Sequence, residues 1–118
     1  MIKSYKDLEV YQKSYSLALH VHKMTQQYPA YERYEIGAQI RRAALSIPMN
    51  IAEGYGKKES TLEFKRFLRM SLGSCNEVLV LLEMSKDLGY ITKQEYLNMQ
   101  QSYDIVGKRL NVLIQKWK

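Results

Sequence analysis

Arg42, Ser46, Asn50 and Glu53 recur at offsets of four, eight and eleven residues, which nearly close whole turns and put them within about 60° of one another on a helix. A guanidinium, a hydroxyl, an amide and a carboxylate in one strip are the groups that hold a polar ligand or move a proton. Glu53 beside a serine and an arginine is nevertheless no catalytic triad, because no base is positioned to activate the hydroxyl. The strip lies between two apolar rows, where polar side chains must be paired to be tolerated. It therefore reads as an internal network joining Arg42, Ser46, Asn50 and Glu53 to Ser74 and Glu77 of a facing helix.

Other chemistry is scarcer. His20 and His22 are two residues apart and diverge on a helix, and no Glu-x-x-His pair is present, so no metal site is expected. The single Cys75 builds neither a disulfide framework nor a cysteine-rich zinc site and suits a reducing compartment, with the cytoplasm as the expected location. Gly54-Tyr55-Gly56-Lys57-Lys58 has a superficial likeness to a phosphate loop, but it lacks the P-loop spacing and follows a helix, so it reads as a flexible basic turn. With no acid, base, nucleophile or cofactor motif assembled, the chain reads as non-enzymatic, with no cofactor expected.

The basic residues carry more information. The chain has a formal charge of +6 and an isoelectric point near 9.4. Between positions 41 and 69, Arg41, Arg42, Lys57, Lys58, Lys65, Arg66 and Arg69 stand against Glu53, Glu59 and Glu63, so seven cations and three carboxylates leave +4 of that total in one segment. These seven form a candidate surface for the phosphates of RNA or DNA, with Tyr55 available if bases can stack; the alternative is a solvated helix face and a charged turn.

The elements that would position these groups are all helical. Proline occurs only at Pro29 and Pro48, and the runs between are long and periodic. The spacing predicts helices over 7–27, 32–54, 61–88 and 93–117. Asp7 is the expected first N-cap and Gly54 the residue expected just past the second helix. Ser60-Thr61-Leu62-Glu63 and Thr92-Lys93-Gln94-Glu95 both have the form of a capping box. In the second helix Ile36, Ile40, Ala44, Ile47 and Ile51 share one side, while Ala38, Leu45, Met49 and Ala52 share nearly the opposite one, so this helix is expected to be sandwiched. Pro48 predicts a kink nearby, because it removes a hydrogen bond to residue 44. The last helix has the cleanest seam, Tyr96, Met99, Tyr103, Val106, Leu110, Leu113 and Trp117, spaced by three and four. Short connections make successive helices antiparallel, giving a single all-α domain over 1–118, an up-down-up-down four-helix bundle.

No apolar run approaches the roughly 20 residues of a membrane span, and the N-terminus lacks the apolar core of a signal peptide, so an unexported protein is expected. A bundle of four helices buries one broad face of each. The surplus apolar row of the first helix, with Val80 and Met84 on the outer side of the third, therefore points to contacts between subunits.

Specific stretches also resemble a known family. They are Asp7-Leu8-Glu9-Val10-Tyr11, Gln39-Ile40-Arg41-Arg42-Ala43-Ala44, Ser46-Ile47-Pro48, Asn50-Ile51-Ala52-Glu53-Gly54, Phe64, Phe67-Leu68, Gly73-Ser74, Glu77 and Leu88-Gly89-Tyr90. Together they resemble the four-helix bundle proteins known as 23S ribosomal RNA intervening-sequence proteins, to which the accessory variability protein of diversity-generating retroelements is related. The resemblance implies a four-helix protomer in a pentameric, barrel-like ring with a basic surface that includes Arg41 and Arg42. It implies a proposed nucleic-acid role and no known enzymatic activity. The retroelement relatives bind a reverse transcriptase as well as nucleic acid, so a protein scaffold or accessory subunit is the alternative role that the resemblance implies.

Overall fold

A computed structural model describes all 118 residues. A short 3-10 turn at Tyr5–Asp7 leads into α1 (Glu9–Thr25), followed by the single turn α2 (Ala30–Arg33) and then α3 (Ile36–Tyr55), α4 (Thr61–Asp87) and α5 (Lys93–Lys116). At 1.5 Å per residue the 27 residues of α4 extend about 40 Å. The molecule measures 44 × 23 × 20 Å, so its longest helix alone spans it.

Cross-helix contacts give the directions. Going up α3, Gln39 meets Glu77, Ile47 meets Ser71 and Gly54 meets Phe67, so α3 and α4 are antiparallel. Cys75 reaches Tyr103 and Phe64 reaches Trp117, so α4 and α5 are antiparallel too. Glu9 pairs with Arg109, and Met24 lines a groove with Glu95, so α1 and α5 run oppositely. The result is the expected up-down-up-down bundle. Its core is built from Val10, Val21 and Met24 of α1, Ile40, Ala44, Ile47 and Ile51 of α3, Phe64, Leu68, Val78 and Leu82 of α4, and Met99, Tyr103, Val106 and Leu110 of α5.

Several local expectations are revised. The first long helix is capped at Leu8 instead of Asp7, because Asp7 serves the preceding 3-10 turn, its carboxylate accepting from Lys3 N and Ser4 N. Those two amides hold its carboxyl below the ordinary range. A separate turn at Ala30–Arg33 precedes α3, in place of one continuous helix from residue 32. The capping box at Thr92 is complete, but at Ser60 only half forms: Ser60 Oγ accepts from Glu63 N at 3.2 Å, while the Glu63 carboxylate turns to Arg66. Arg66, a permanent cation, outcompetes a neutral backbone amide for that carboxylate. The helix-ending positive φ belongs to Gly89, at +80°, where only glycine is unstrained.

Gly54 does not end α3 but lies inside it, buried against α4. A Cβ there would stand 2.6 Å from Phe67 Cβ and 3.1 Å from Phe64 Cδ1, so the missing side chain sets how closely the two helices pack. α3 passes through Pro48 without a break. Next to the proline, Ile47 O gains the Ser71 hydroxyl as a donor at 2.8 Å and Ser46 O gains Asn50 Nδ2 at 2.8 Å, so side chains supplement the helical ladder there. The expectation that α3 is sandwiched does not hold within one chain. Its inner row is buried from Ile40 to Ile51 and partly buried at Ile36, while Leu45 and Met49 are about half exposed, because α1 and α4 cover only one broad side.

Two buried positions yield opposite expectations. Gly54→Ala forces a methyl into the Phe67 contact and should lower unfolding free energy by about 1–3 kcal/mol, read as a lower denaturation midpoint. The Tyr103 hydroxyl is fully buried without a hydrogen-bond partner. Tyr103→Phe removes that desolvated group and should leave stability unchanged or raise it by up to about 1 kcal/mol.

Candidate nucleic-acid interface

The turn between α3 and α4 is built on aromatic rings. Phe64 is edge-on to both Tyr55 and Trp117, with centroids 6.1 and 4.7 Å apart. Phe67 is buried beside them. The cations of this turn lie over the outer faces of the rings: Lys58 Nζ is 4.2 Å from the Tyr55 centroid, Lys57 Nζ is 5.6 Å from that of Phe67, and the Arg66 guanidinium is 4.7 Å from the same ring. Cation–π attraction thus gives exposed side chains a preferred place on the surface. Tyr55 is buried beneath Lys58, so it supports the patch but cannot stack on a base.

The turn is hydrogen-bonded within itself. Lys57 N, Lys58 N and Ser60 N donate to Gly54 O, Tyr55 O and Lys57 O, so these amides are consumed internally and form no phosphate cradle. Any phosphate must be met by side chains. Arg66 pairs with Glu63 through two bonds of 3.1 and 3.2 Å, which hold the Glu63 carboxyl below its ordinary range and raise Arg66. Lys57, Lys58, Lys65 and Arg69 form no ion pair.

Arg41 and Arg42 stand elsewhere. Arg42 is thirteen residues before Tyr55 on α3, about 20 Å along the axis, so the seven expected cations divide into two groups. Arg41 turns inward at the corner where α1, α2 and α3 meet. Its Nη1 donates to Thr25 Oγ1 and its Nη2 to Arg33 O, each at 2.9 Å. Gly37 makes room for it, since a Cβ there would lie 3.2 Å from Arg41 Nη1 and 3.1 Å from Glu32 O. Arg42 remains exposed.

The polar strip is brought together only in part. The Ser46 and Ser74 hydroxyls are hydrogen-bonded across α3 and α4, and Asn50 bonds back to Ser46 O. All three are half-buried. Arg42 and Glu53 are exposed and make no side-chain hydrogen bond, and Glu77 reaches Gln39 at 3.5 Å instead of joining the serines. The strip faces the margin of the α3–α4 seam, where its longer side chains extend into solvent. The buried hydrogen bond across this seam is made by Ser71 of α4, whose place on an inner helical face gives no hint in the sequence of its bond to Ile47 O.

Elsewhere, Cys75 donates to Tyr103 O at 3.2 Å, and burial pushes its thiol up to about 11, so it stays protonated. Sequence reasoning passed over the residues of the α2 corner. Tyr31 and Tyr34 are 72% and 84% exposed, with Arg33 between them. The signal was the alternation Tyr31-Glu32-Arg33-Tyr34 just after Pro29, where aromatic side chains fall outside any helical seam.

Comparison with known proteins agrees with this architecture. No curated protein matches the chain. A solved structure from Bacteroides thetaiotaomicron VPI-5482, described as a protein with unknown function from the S23 ribosomal protein family, is similar at 25% identity and a TM-score of 0.79. The match covers 91% of this chain and 99% of that one. The family model described as 23S rRNA-intervening sequence protein matches residues 6–112. Because that match spans nearly the whole length, the chain belongs to the 23S rRNA-intervening sequence protein family.

Proposed function

We propose that the protein is a self-associating helical bundle that holds structured RNA or DNA by its phosphates, with no catalytic chemistry of its own. The observation that carries this reading is the α3–α4 turn, where Lys57, Lys58, Lys65 and Arg69 lack ionic partners and two of them rest on aromatic rings. Such cations can exchange water and counterions for phosphate oxygens without first breaking a salt bridge. The buried ring system offers no base-reading edge, which favours backbone contact over sequence readout.

Self-association is supported by two apolar features. A groove of about 480 Å³ between α1 and α3 is lined by Tyr15, Ala18, Leu19, Ala38 and Leu45, with Arg41, Arg42 and His22 at its sides. Val80 and Met84 on α4 and Leu88 at its C-cap, spaced by four, form an exposed stripe outside that groove. A stripe and a groove on one chain are the two halves of a head-to-tail contact, which closes into a ring when the rotation permits. A pentamer is the ring that the family resemblance implies. The same apolar area favours a second reading, a scaffold or accessory subunit for a protein partner such as a reverse transcriptase.

Filter binding across a salt series tests the first reading. Affinity should fall linearly on a log–log plot, and the combined Lys65→Glu, Arg66→Glu and Arg69→Glu variant should bind more weakly, with a slope shallower by about 0.7–0.9 for each phosphate that the variant leaves unneutralised. Affinity indifferent to salt, or retained after charge reversal, overturns it. Light scattering tests self-association: a multiple of the 13.9 kDa chain mass is expected at micromolar concentration, reduced by Leu45→Glu or Met84→Glu with helical content intact. A monomeric parent overturns the reading of the apolar rows. A stable complex with a protein partner that excludes nucleic acid favours the scaffold.

A further inference from the structure

The corner where α1, α2 and α3 meet holds an arginine whose charge is not neutralised. Arg41 is half-buried and has no carboxylate partner, yet two neutral oxygens, Thr25 Oγ1 and Arg33 O, fix its guanidinium at 2.9 Å each. A guanidinium has five N–H donors, so three remain unused on a group that is already oriented. Arg41 lines a pocket of about 200 Å³ with His22, Gln26, Arg33 and Tyr34, and none of the five is acidic. An immobilised cation in a pocket without carboxylates is prepared for an anion, because neither the cost of orienting it nor that of breaking an ion pair remains.

The rim supplies the second half of a ligand. Tyr34 belongs to the same pocket and is 84% exposed, an arrangement that leaves its ring free to meet a flat apolar partner. Tyr31, 72% exposed, lies on the same turn. The adjacent Glu32 carboxylate is engaged by the Tyr90 hydroxyl at 2.6 Å. A bound anion with a planar group next to it is the chemistry of a nucleotide in a strand. A base inside a duplex is stacked on both faces and cannot reach such a ring, whereas an unpaired one can.

We propose that this corner binds an unpaired nucleotide of RNA or DNA, with Arg41 and Arg33 on the phosphate and Tyr34 stacked on the base. The proposal rests on the nucleic-acid reading above and adds the class of substrate, a single-stranded segment. It also adds a second contact point, roughly 20 Å from the α3–α4 turn along α3.

The test uses the full chain with short single-stranded RNA and DNA probes and blunt duplexes of the same sequence, followed by fluorescence anisotropy. Tyr34→Ala, at an exposed position, should weaken single-strand binding about tenfold while leaving duplex binding within about twofold. Tyr34→Phe keeps the ring and should bind as the parent does. Arg33→Gln leaves its carbonyl on Arg41 and should weaken single-strand binding with a salt slope shallower by about 0.7. Tyr34→Ala that binds single strands like the parent, or that weakens single strand and duplex equally, overturns the proposal. If Tyr34→Ala is inert while the charge-reversed turn variant binds weakly, the phosphate reading stands and this site does not. A parent that binds no probe overturns both.

Discussion

With only hydrogen at its Cα, Gly54 lets the last turns of α3 lie directly on Phe64 and Phe67 of α4. That approach brings the Ile47 carbonyl within reach of the Ser71 hydroxyl and joins Ser46 to Ser74. The same seam places Tyr55 and Phe67 just under the surface at the turn, where Lys57, Lys58 and Arg66 settle on them. Because α4 is drawn against one side of α3, the opposite row at Leu45 and Met49 faces outward. One backbone contact therefore shapes the core, the cationic end and the unpartnered apolar surface.

The two groups of basic residues differ in kind. At the turn, exposed cations rest on ring faces, which give them a preferred place without a hydrogen-bond partner to fix their orientation. At the corner, Arg41 is pinned by Thr25 and by the Arg33 carbonyl, and Gly37 keeps the space clear. A chain with both has one surface for charge and one place for shape. Their separation along α3 follows directly from helix geometry, although the residues are close in the sequence.

Periodicity made the helices legible, most clearly in α5, where Met99, Tyr103, Val106 and Leu110 are all buried as their spacing requires. The complete cap at Thr92 was equally readable, since its Glu95 has no competing cation one turn on. Ser60 shows the limit of such reading: Glu63 fits the pattern, but Arg66 takes its carboxylate. Gly54 has the residue type of a terminator, whereas its role depends on Phe67, thirteen residues away in the chain. The candidate site was less legible than the fold. Charge counting groups Arg41 with the lysines of the turn because a linear sum ignores where a helix carries each residue. It also misses Tyr34, whose exposure follows from the break between α2 and α3 and was signalled only by aromatic residues outside any helical seam just after Pro29.

The far end of α4 is tied down differently from its start. There the Tyr28 hydroxyl donates to Ser85 Oγ at 2.7 Å and Ser85 donates in turn to Leu81 O at 2.8 Å, while Tyr90 holds Glu32. This end is closed by a relay of hydroxyls spanning more than fifty residues of sequence, and the other by ring edges and apolar contact. Apolar contact resists separation without fixing orientation, whereas a hydrogen bond has a preferred distance and angle. The two ends of the bundle are thus held by different mixtures of forces: ring packing alone at the α3–α4 turn, and ring packing reinforced by directional hydroxyl bonds at the other end, where Tyr28 and Tyr90 also meet with centroids 5.3 Å apart.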